Sequence, residues 1–354
     1  MHFKSLKDIS VTNKRVLLRC DFNVPLDGKG EISDDFRIEQ SLPTIKYLLE
    51  QNAKVIIMSH LDPDSTSVAE KKYTLDGIGE RLSVLLNAPI TKIDDCIGLD
   101  AENQSNLLES GKVLLLENLR FYKEETDGDL EFAKKLSYLG DIYVNDAFSV
   151  CHRDHASITG VPKFLDSYAG ILLEKEIVSL DKILNSPEKP MTAIVGGKKV
   201  ETKSKFIDRI SEVADFVIVS GLIKKEVIEK GINFKYPEKI IGPEDNLAAL
   251  DIDQKTIETF KQKILQSKTV LWNGPFGKFE DDEYAVGTLA IANAIIESGA
   301  FSVIGGGETV EFLKKQGIIQ KFSHVSTGGG AMLNYLAGDI LPGLTVLENA
   351  KIKD

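Results

Sequence analysis

Apolar residues in this chain fall into short runs that alternate with stretches of helical spacing. The same alternation lies on both sides of one long amphipathic segment. In that segment, residues 169–184, Leu172, Leu173, Ile177, Leu180, Ile183 and Leu184 recur at helical spacing, with Glu174, Lys175, Glu176, Asp181 and Lys182 between them. Pro187 and Pro190 stop the pattern. The spacing predicts a helix joining two α/β domains; the alternative is a surface helix inside one large sheet. Strands alternating with helices predict two doubly wound parallel-sheet domains joined by a hinge helix. The expected division is a first domain at 1–168, the linking helix at 169–184, a second domain at 185–340 and a tail at 341–354.

Buried strands are predicted in the first half at 15–19, 54–59, 112–116 and 141–144. Each hands the chain to polar residues at its carboxyl end, where open parallel sheets bind ligands. The first leads to Asp21 and Asn23, which point to one side of an extended segment. His60 follows the second, Arg120 the third, and His152 and Arg153 come after the fourth. Arg37 sits at a helix start behind Ser33-Asp34-Asp35. Taken singly, Asp21 and Asn23 are better explained by hydrogen bonds to their own loop. Their recurrence with three arginines suits a small hydroxylated anion.

In the second half, strands are predicted at 192–195, 216–219, 270–272, 301–304 and 324–327. The first opens onto Gly196-Gly197-Lys198-Lys199, the last two onto Gly305-Gly306-Gly307 and Gly328-Gly329-Gly330. Glycine junctions ahead of helices expose backbone N–H groups and suit a polyphosphate cradle. Tight helix–sheet packing also needs glycine, and both readings stand here. GxxxxGK[ST] and GxGxxG are absent, so neither a Walker A loop nor a dinucleotide site is indicated.

A net charge of −11 argues against nucleic acid or an anionic membrane as the main partner. Hydrophobic content of 42% and charged content of 27% are those of a water-soluble globular chain. Cys20, Cys96 and Cys151 are widely spaced, which gives neither a disulfide framework nor a zinc site. Met1-His2-Phe3-Lys4 opens no signal peptide, no apolar run approaches membrane-spanning length, and the expected location is the cytoplasm.

Several motifs then line up in one order: Arg19-Cys20-Asp21-Phe22-Asn23-Val24-Pro25, Met58-Ser59-His60-Leu61, Glu117-Asn118-Leu119-Arg120-Phe121, Asn145-Asp146-Ala147-Phe148, His152-Arg153, Trp272-Asn273-Gly274-Pro275, Gly305-Gly306-Gly307 and Ser326-Thr327-Gly328-Gly329-Gly330-Ala331. Over essentially the whole chain this series resembles the phosphoglycerate kinase family. The resemblance implies a monomeric, two-domain hinged kinase that passes the acyl phosphate of 1,3-bisphosphoglycerate to Mg-ADP, reversibly, giving 3-phosphoglycerate and ATP in glycolysis. It assigns Asp21, Asn23, Arg37, His60, Arg120 and Arg153 to 3-phosphoglycerate. Gly197, Lys199, Lys203, Asn273, Pro275, Gly277, Glu280, Gly306, Gly307, Glu308 and Thr309 fall to the nucleotide. Arg37, Lys203, Gly307 and Gly330 fall to the transfer itself, and Glu308 to Mg²⁺, directly or from one layer out. The tail is expected to return to the first domain, and closure about the linking helix to exclude water. An ionised carboxylate acceptor needs no general base, so fixed positive charge carries the chemistry.

The chain also departs from that pattern. Asp62-Pro63-Asp64 stands where the family has Gly-Arg-Pro, so weakened acceptor binding or a changed acceptor is expected. Phe148-Ser149-Val150 stands for Phe-Gly-Thr, Ser220-Gly221-Leu222-Ile223 for Gly-Gly-Gly-Met, and Glu308 for an aspartate. Asp253 stands where a glycine is common, and Lys278 replaces a small apolar residue of the base pocket. The segment between Ser220-Gly221-Leu222-Ile223 and Asp251 is short, which predicts a reduced nucleotide site with weak base discrimination. Besides an active kinase, a non-catalytic nucleotide- or phosphate-binding protein on this scaffold and a kinase for another small carboxylate remain open.

Overall fold

A computed structural model describes residues 3–62, 72–197 and 200–348. The chain divides into two compact units, Met1–Lys175 with Leu341–Asp354, and Glu176–Ile340. Their boundary falls inside the helix Ile171–Asn185.

The first unit is built on a six-stranded parallel sheet. Its spatial order is Ile90–Lys92, Val113–Leu115, Lys54–Met58, Arg15–Arg19, Ile142–Asn145 and Ser167–Ala169. Near-continuous runs such as Val16-Leu17-Leu18 and Val55-Ile56-Ile57 are fully buried, as strands covered by helices on both faces require. The chain winds outward from Arg15–Arg19 in one direction and returns to its other side with Ile142–Asn145, which makes the gap between these two strands a topological switch point. The helix Pro342–Glu348 belongs to this unit: Gly343 N donates to Cys151 O at 2.9 Å, and a Cβ on Gly343 would lie 2.7 Å from Ile158.

In the second unit the parallel order is His324–Val325, Phe301–Gly305, Thr269–Asn273, Met191–Val195, Phe216–Val219 and Ile240–Ile241. The same rule puts its switch point between Met191–Val195 and Thr269–Asn273. Trp272, Phe260, Phe276 and Phe312 fill the core around them. Among the described residues, no helix is long and apolar enough to cross a membrane.

The predicted linking helix begins at Ile171, two residues later than expected, because a carboxylate caps it. Asp146 Oδ1 accepts from Leu172 N at 3.0 Å and Leu173 N at 3.3 Å. Gly170 is forced by this cap, since a Cβ there would lie 2.1 Å from the same oxygen. Burial pushes the Asp146 carboxyl up to about 7 against the opposing Thr44 hydroxyl and the Leu173 and Leu172 amides. The folded pKa exceeds the unfolded one, so this group's stabilisation is full at acid pH and is lost as pH rises through about 7. Asp146→Asn keeps the accepting oxygen and removes the charge. It is expected to raise stability by about 1–3 kcal/mol near pH 8, with a flatter pH dependence. Urea midpoints that track the parent at every pH would contradict this.

Candidate active site

The loops after adjacent strands of the first unit carry Asp21, His60 and Arg120 to one edge of the sheet. Asp21, almost fully buried, is bracketed by donors. Arg37 Nη1 reaches its Oδ2 at 2.8 Å, the Ser149 hydroxyl donates to the same oxygen, and Asn23 N donates to Oδ1 at 2.9 Å. Burial alone would raise the Asp21 carboxyl, but Arg37, His60, Ser149 and Asn23 together hold it well below the usual carboxylate range. Arg37 Nη1 also donates to Asn23 O at 3.0 Å, while its Nη2 and Nε make no hydrogen bond among the described residues. Asn23 Oδ1 accepts from Asp62 N at 2.8 Å, which fixes the loop leaving His60.

Behind these residues lies a fully buried pair that the sequence did not single out. Arg19 Nη2 lies 3.8 Å from Glu125 Oε1, and Arg19 Nε donates to Ser157 Oγ at 2.8 Å. Glu125 in turn accepts from Ser157 N at 2.8 Å and Ser157 Oγ at 2.6 Å. Arg19 Nη2 also approaches His60 Nδ1 at 3.3 Å. A guanidinium can only donate, so Nδ1 accepts and the His60 proton is assigned to Nε2. The same argument applies to His155, whose Nδ1 is 3.3 Å from Arg120 Nη1.

These contacts leave a positive potential that the nearby carboxylates do not cancel. Burial lowers the His60 pKa, Asp21 opposes, and Arg19, Arg120 and Arg37 lower it further. Burial also brings His155 down to about 3, helped by Arg120, Arg19, Arg153 and His152. Arg153 is exposed, and its guanidinium makes no hydrogen bond or ion pair among the described residues. Arg120 is held from behind by Asn118, whose side chain accepts from Arg120 N at 3.0 Å and Leu61 N at 3.1 Å and donates to Leu61 O at 2.7 Å. Neutral histidines among arginines form a site for an anion. Asp76, Asp94 and Glu117, a carboxylate cluster nearby, instead close around the Lys92 ammonium at 2.7–2.9 Å.

In the second unit, the two glycine explanations divide between different glycines. A Cβ on Gly196 would lie 2.2 Å from Gly274 O, one on Gly305 2.3 Å from Met332, and one on Gly329 3.2 Å from Gly306 Cα. Those three serve packing. Gly307 and Gly330, by contrast, face open space. They lie in the first turns of the helices Gly307–Lys315 and Gly329–Leu336, whose leading N–H groups have no intrahelical acceptor. Asn273 Nδ2, buried and without a hydrogen-bond partner among the described residues, points at Gly306, whose φ of +96° needs glycine. Thr309 is buried and accepts from Gly274 N at 3.0 Å, so its hydroxyl braces the turn.

Beside these helix starts is a cavity of about 770 Å³. Gly197, Lys203, Pro275, Gly277, Glu280 and Glu308 line it. Gly197 N is anchored on Pro275 O at 2.9 Å, and the Lys203 ammonium donates to Gly196 O. Burial lowers the Lys203 pKa, and Glu308 opposes the shift. Lys278 also lines the cavity, but its ammonium pairs with Asp281 at 2.7 Å and adds no free charge. Asp253 caps the helix Gln254–Leu265 through Thr256 N at 2.7 Å, a structural use. Glu176, fully buried in the linking helix, accepts from Thr327 N at 2.7 Å and Thr327 Oγ1 at 2.8 Å and lies 2.8 Å from His324 Nε2, which fixes the loop ahead of Gly328. Lys199, Pro63 and Asp64 lie outside the described residues.

The family model for phosphoglycerate kinase matches residues 6–237 and 225–339. The chain belongs to the phosphoglycerate kinase family. It is a carboxyl-acceptor phosphotransferase. Phosphoglycerate kinase of Chlorobium luteolum is 41% identical over 397 aligned residues, covering 98% of this chain and 100% of that protein. The chloroplastic phosphoglycerate kinase of Volvox carteri is 41% identical over 398, covering 98% and 86%. Among solved structures, the Pyrococcus horikoshii phosphoglycerate kinase superposes with a TM-score of 0.88 at 32% identity, covering 98% of this chain and 99% of that one. At 354 residues the chain is shorter than those alignments. Its two matched stretches meet at 225–237, inside the segment that the sequence marks as short.

Proposed function

We propose that the basic edge of the first unit holds 3-phosphoglycerate and that the cavity of the second holds Mg-ADP or Mg-ATP. The observation that carries this reading is the arginine–histidine cluster around Asp21, in which Arg37 Nη2 and Nε and the whole Arg153 guanidinium have no acceptor among the described residues. Arg37, Arg120 and Arg153 take the acceptor's negative groups, with His60 Nε2–H as a further donor, and Asp21 and Asn23 take its hydroxyl. On the other unit, Lys203, Asn273 and the leading amides at Gly307 and Gly330 take the phosphates. Glu308 fits Mg²⁺, which takes one or two carboxylates together with phosphate oxygens. Mg²⁺, once bound, offsets charge on the phosphates; the chain's own donors orient them.

The acceptor carboxylate is ionised at neutral pH and attacks phosphorus directly. The work left to the protein is alignment and the balancing of charge on the transferring group, which Arg37, Lys203 and fixed N–H dipoles supply. Asp62 opposes the positive field at Arg120, consistent with a lowered acceptor affinity. Leu222, Leu247, Ala249 and Leu250 also border the cavity and offer apolar surface on which a base can stack.

Acceptor-dependent ATP consumption with Mg²⁺ tests this reading. The parent chain is expected to turn over 3-phosphoglycerate, to use ATP and GTP with comparable KM, and to lose about 10²–10³-fold in kcat on Lys203→Ala. A Lys203→Ala protein with parental kcat would refute the nucleotide half, and a strong ATP preference the base assignment.

A further inference from the structure

Ser149 lies on the turn Phe148–Val150 beyond Asn145, across the switch point from Asp21, and the mechanism makes no use of it. Its side chain is buried and donates to Asp21 Oδ2. An ionised carboxylate offers about four lone-pair positions. On Oδ2 both are filled, by Arg37 Nη1 at 2.8 Å and by the Ser149 hydroxyl. On Oδ1 one is filled by Asn23 N at 2.9 Å, and His60 Nδ1 lies 3.8 Å away with its proton assigned to the opposite ring nitrogen. The buried carboxylate is therefore almost fully satisfied by the protein alone. An acceptor hydroxyl must take the last Oδ1 position or displace Ser149.

We infer that Ser149 sets acceptor specificity by standing in for the acceptor's hydroxyl on Asp21, so that this kinase also phosphorylates phosphorylated short-chain carboxylic acids that lack a 2-hydroxyl group. The physical basis is the source of hydroxyl selectivity in general. A site that depends on a ligand hydroxyl rejects the deoxy analogue by about 10⁴–10⁵-fold, because its own buried polar group is left unpaired. With Ser149 in place, Asp21 keeps its partners whichever acid enters. A glycine or alanine at this position would leave Oδ2 one donor short, and a hydroxylated acceptor could supply that donor where the deoxy acid could not.

The inference rests on the assignment of Asp21 and Arg37 to the acceptor. Its test is the ratio of kcat/KM for 3-phosphoglycerate to that for 3-phosphooxypropanoate, the 2-deoxy analogue, in the parent, Ser149→Ala and Ser149→Gly proteins. The parent is expected to use both acids. In both variants the ratio is expected to rise by about 10–100-fold, chiefly through loss of activity on the deoxy acid. A general loss of fold or activity would lower both terms and leave the ratio in place, so a ratio that does not move overturns the inference. Arg37→Ala separates this failure from failure of the underlying assignment. If Arg37→Ala cripples use of both acids while the Ser149 ratio is static, the acceptor site stands and the role of Ser149 falls. If Arg37→Ala leaves both acids unaffected, assignment and inference fall together.

Discussion

Arg37→Ala is expected to lower kcat/KM for 3-phosphoglycerate by about 10³-fold or more while the protein stays folded. Two losses combine. The variant removes the Nη2 and Nε donors that are free among the described residues, and with them a fixed positive charge at the acceptor site. It also strips Asp21 of its strongest neutralising neighbour, so the carboxyl rises toward its ordinary value and binds hydroxyls less well. Arg37 is one-third exposed, so its removal leaves no buried cavity, but the almost fully buried Asp21 loses its counter-charge, so the unfolding midpoint is expected to fall while the protein remains folded in water. Steady-state kinetics beside a urea melt check both halves. Near-parental kcat/KM would show that Arg37 is a surface partner of Asp21 and nothing more.

The second large effect is on stability. Glu125→Ala is expected to cost about 3–5 kcal/mol, because it leaves the fully buried Arg19 guanidinium without its counter-charge. That is a sizeable part of the roughly 5–15 kcal/mol that holds a typical domain folded. The loss extends to Ser157, whose amide and hydroxyl both donate to the Glu125 carboxylate. An Arg19→Met/Glu125→Leu double variant is expected to recover most of the stability, since a well-packed apolar pair can replace a buried ion pair. It should not recover acceptor binding, because His60 loses the donor that fixes its tautomer. Equal urea midpoints for Glu125→Ala and the parent would contradict the pairing.

The parts of the fold that were legible in the sequence are those where burial writes a continuous signal. Arg15–Arg19 and Phe216–Val219 match the predicted strands residue for residue, and the other strands covered on both sides differ only at their ends. Ile90–Lys92, Ser167–Ala169 and Ile240–Ile241 were missed, and all three are short edge strands, too brief to form an apolar run. Candidate residues that follow a strand, such as Asp21, His60 and Arg120, were legible as neighbours at one sheet edge from their position in the chain. Arg19, Glu125 and Ser157 were not, because what makes them a unit is contact between segments distant in sequence. The one available signal was an arginine closing a strand that is otherwise buried. Glycine was ambiguous for a related reason: Gly305 and Gly307 look alike in the chain, yet one is pressed against Met332 and the other faces open space.

The acceptor assignment is tested most directly by calorimetric titration of 3-phosphoglycerate into the parent protein and into Arg120→Ala. The expected result is saturable one-to-one binding to the parent that weakens as salt is raised, and loss of that binding in the variant. Undiminished binding by Arg120→Ala, with the same salt dependence, would mean that the anion sits elsewhere and would contradict the placement of the acceptor on this edge of the sheet.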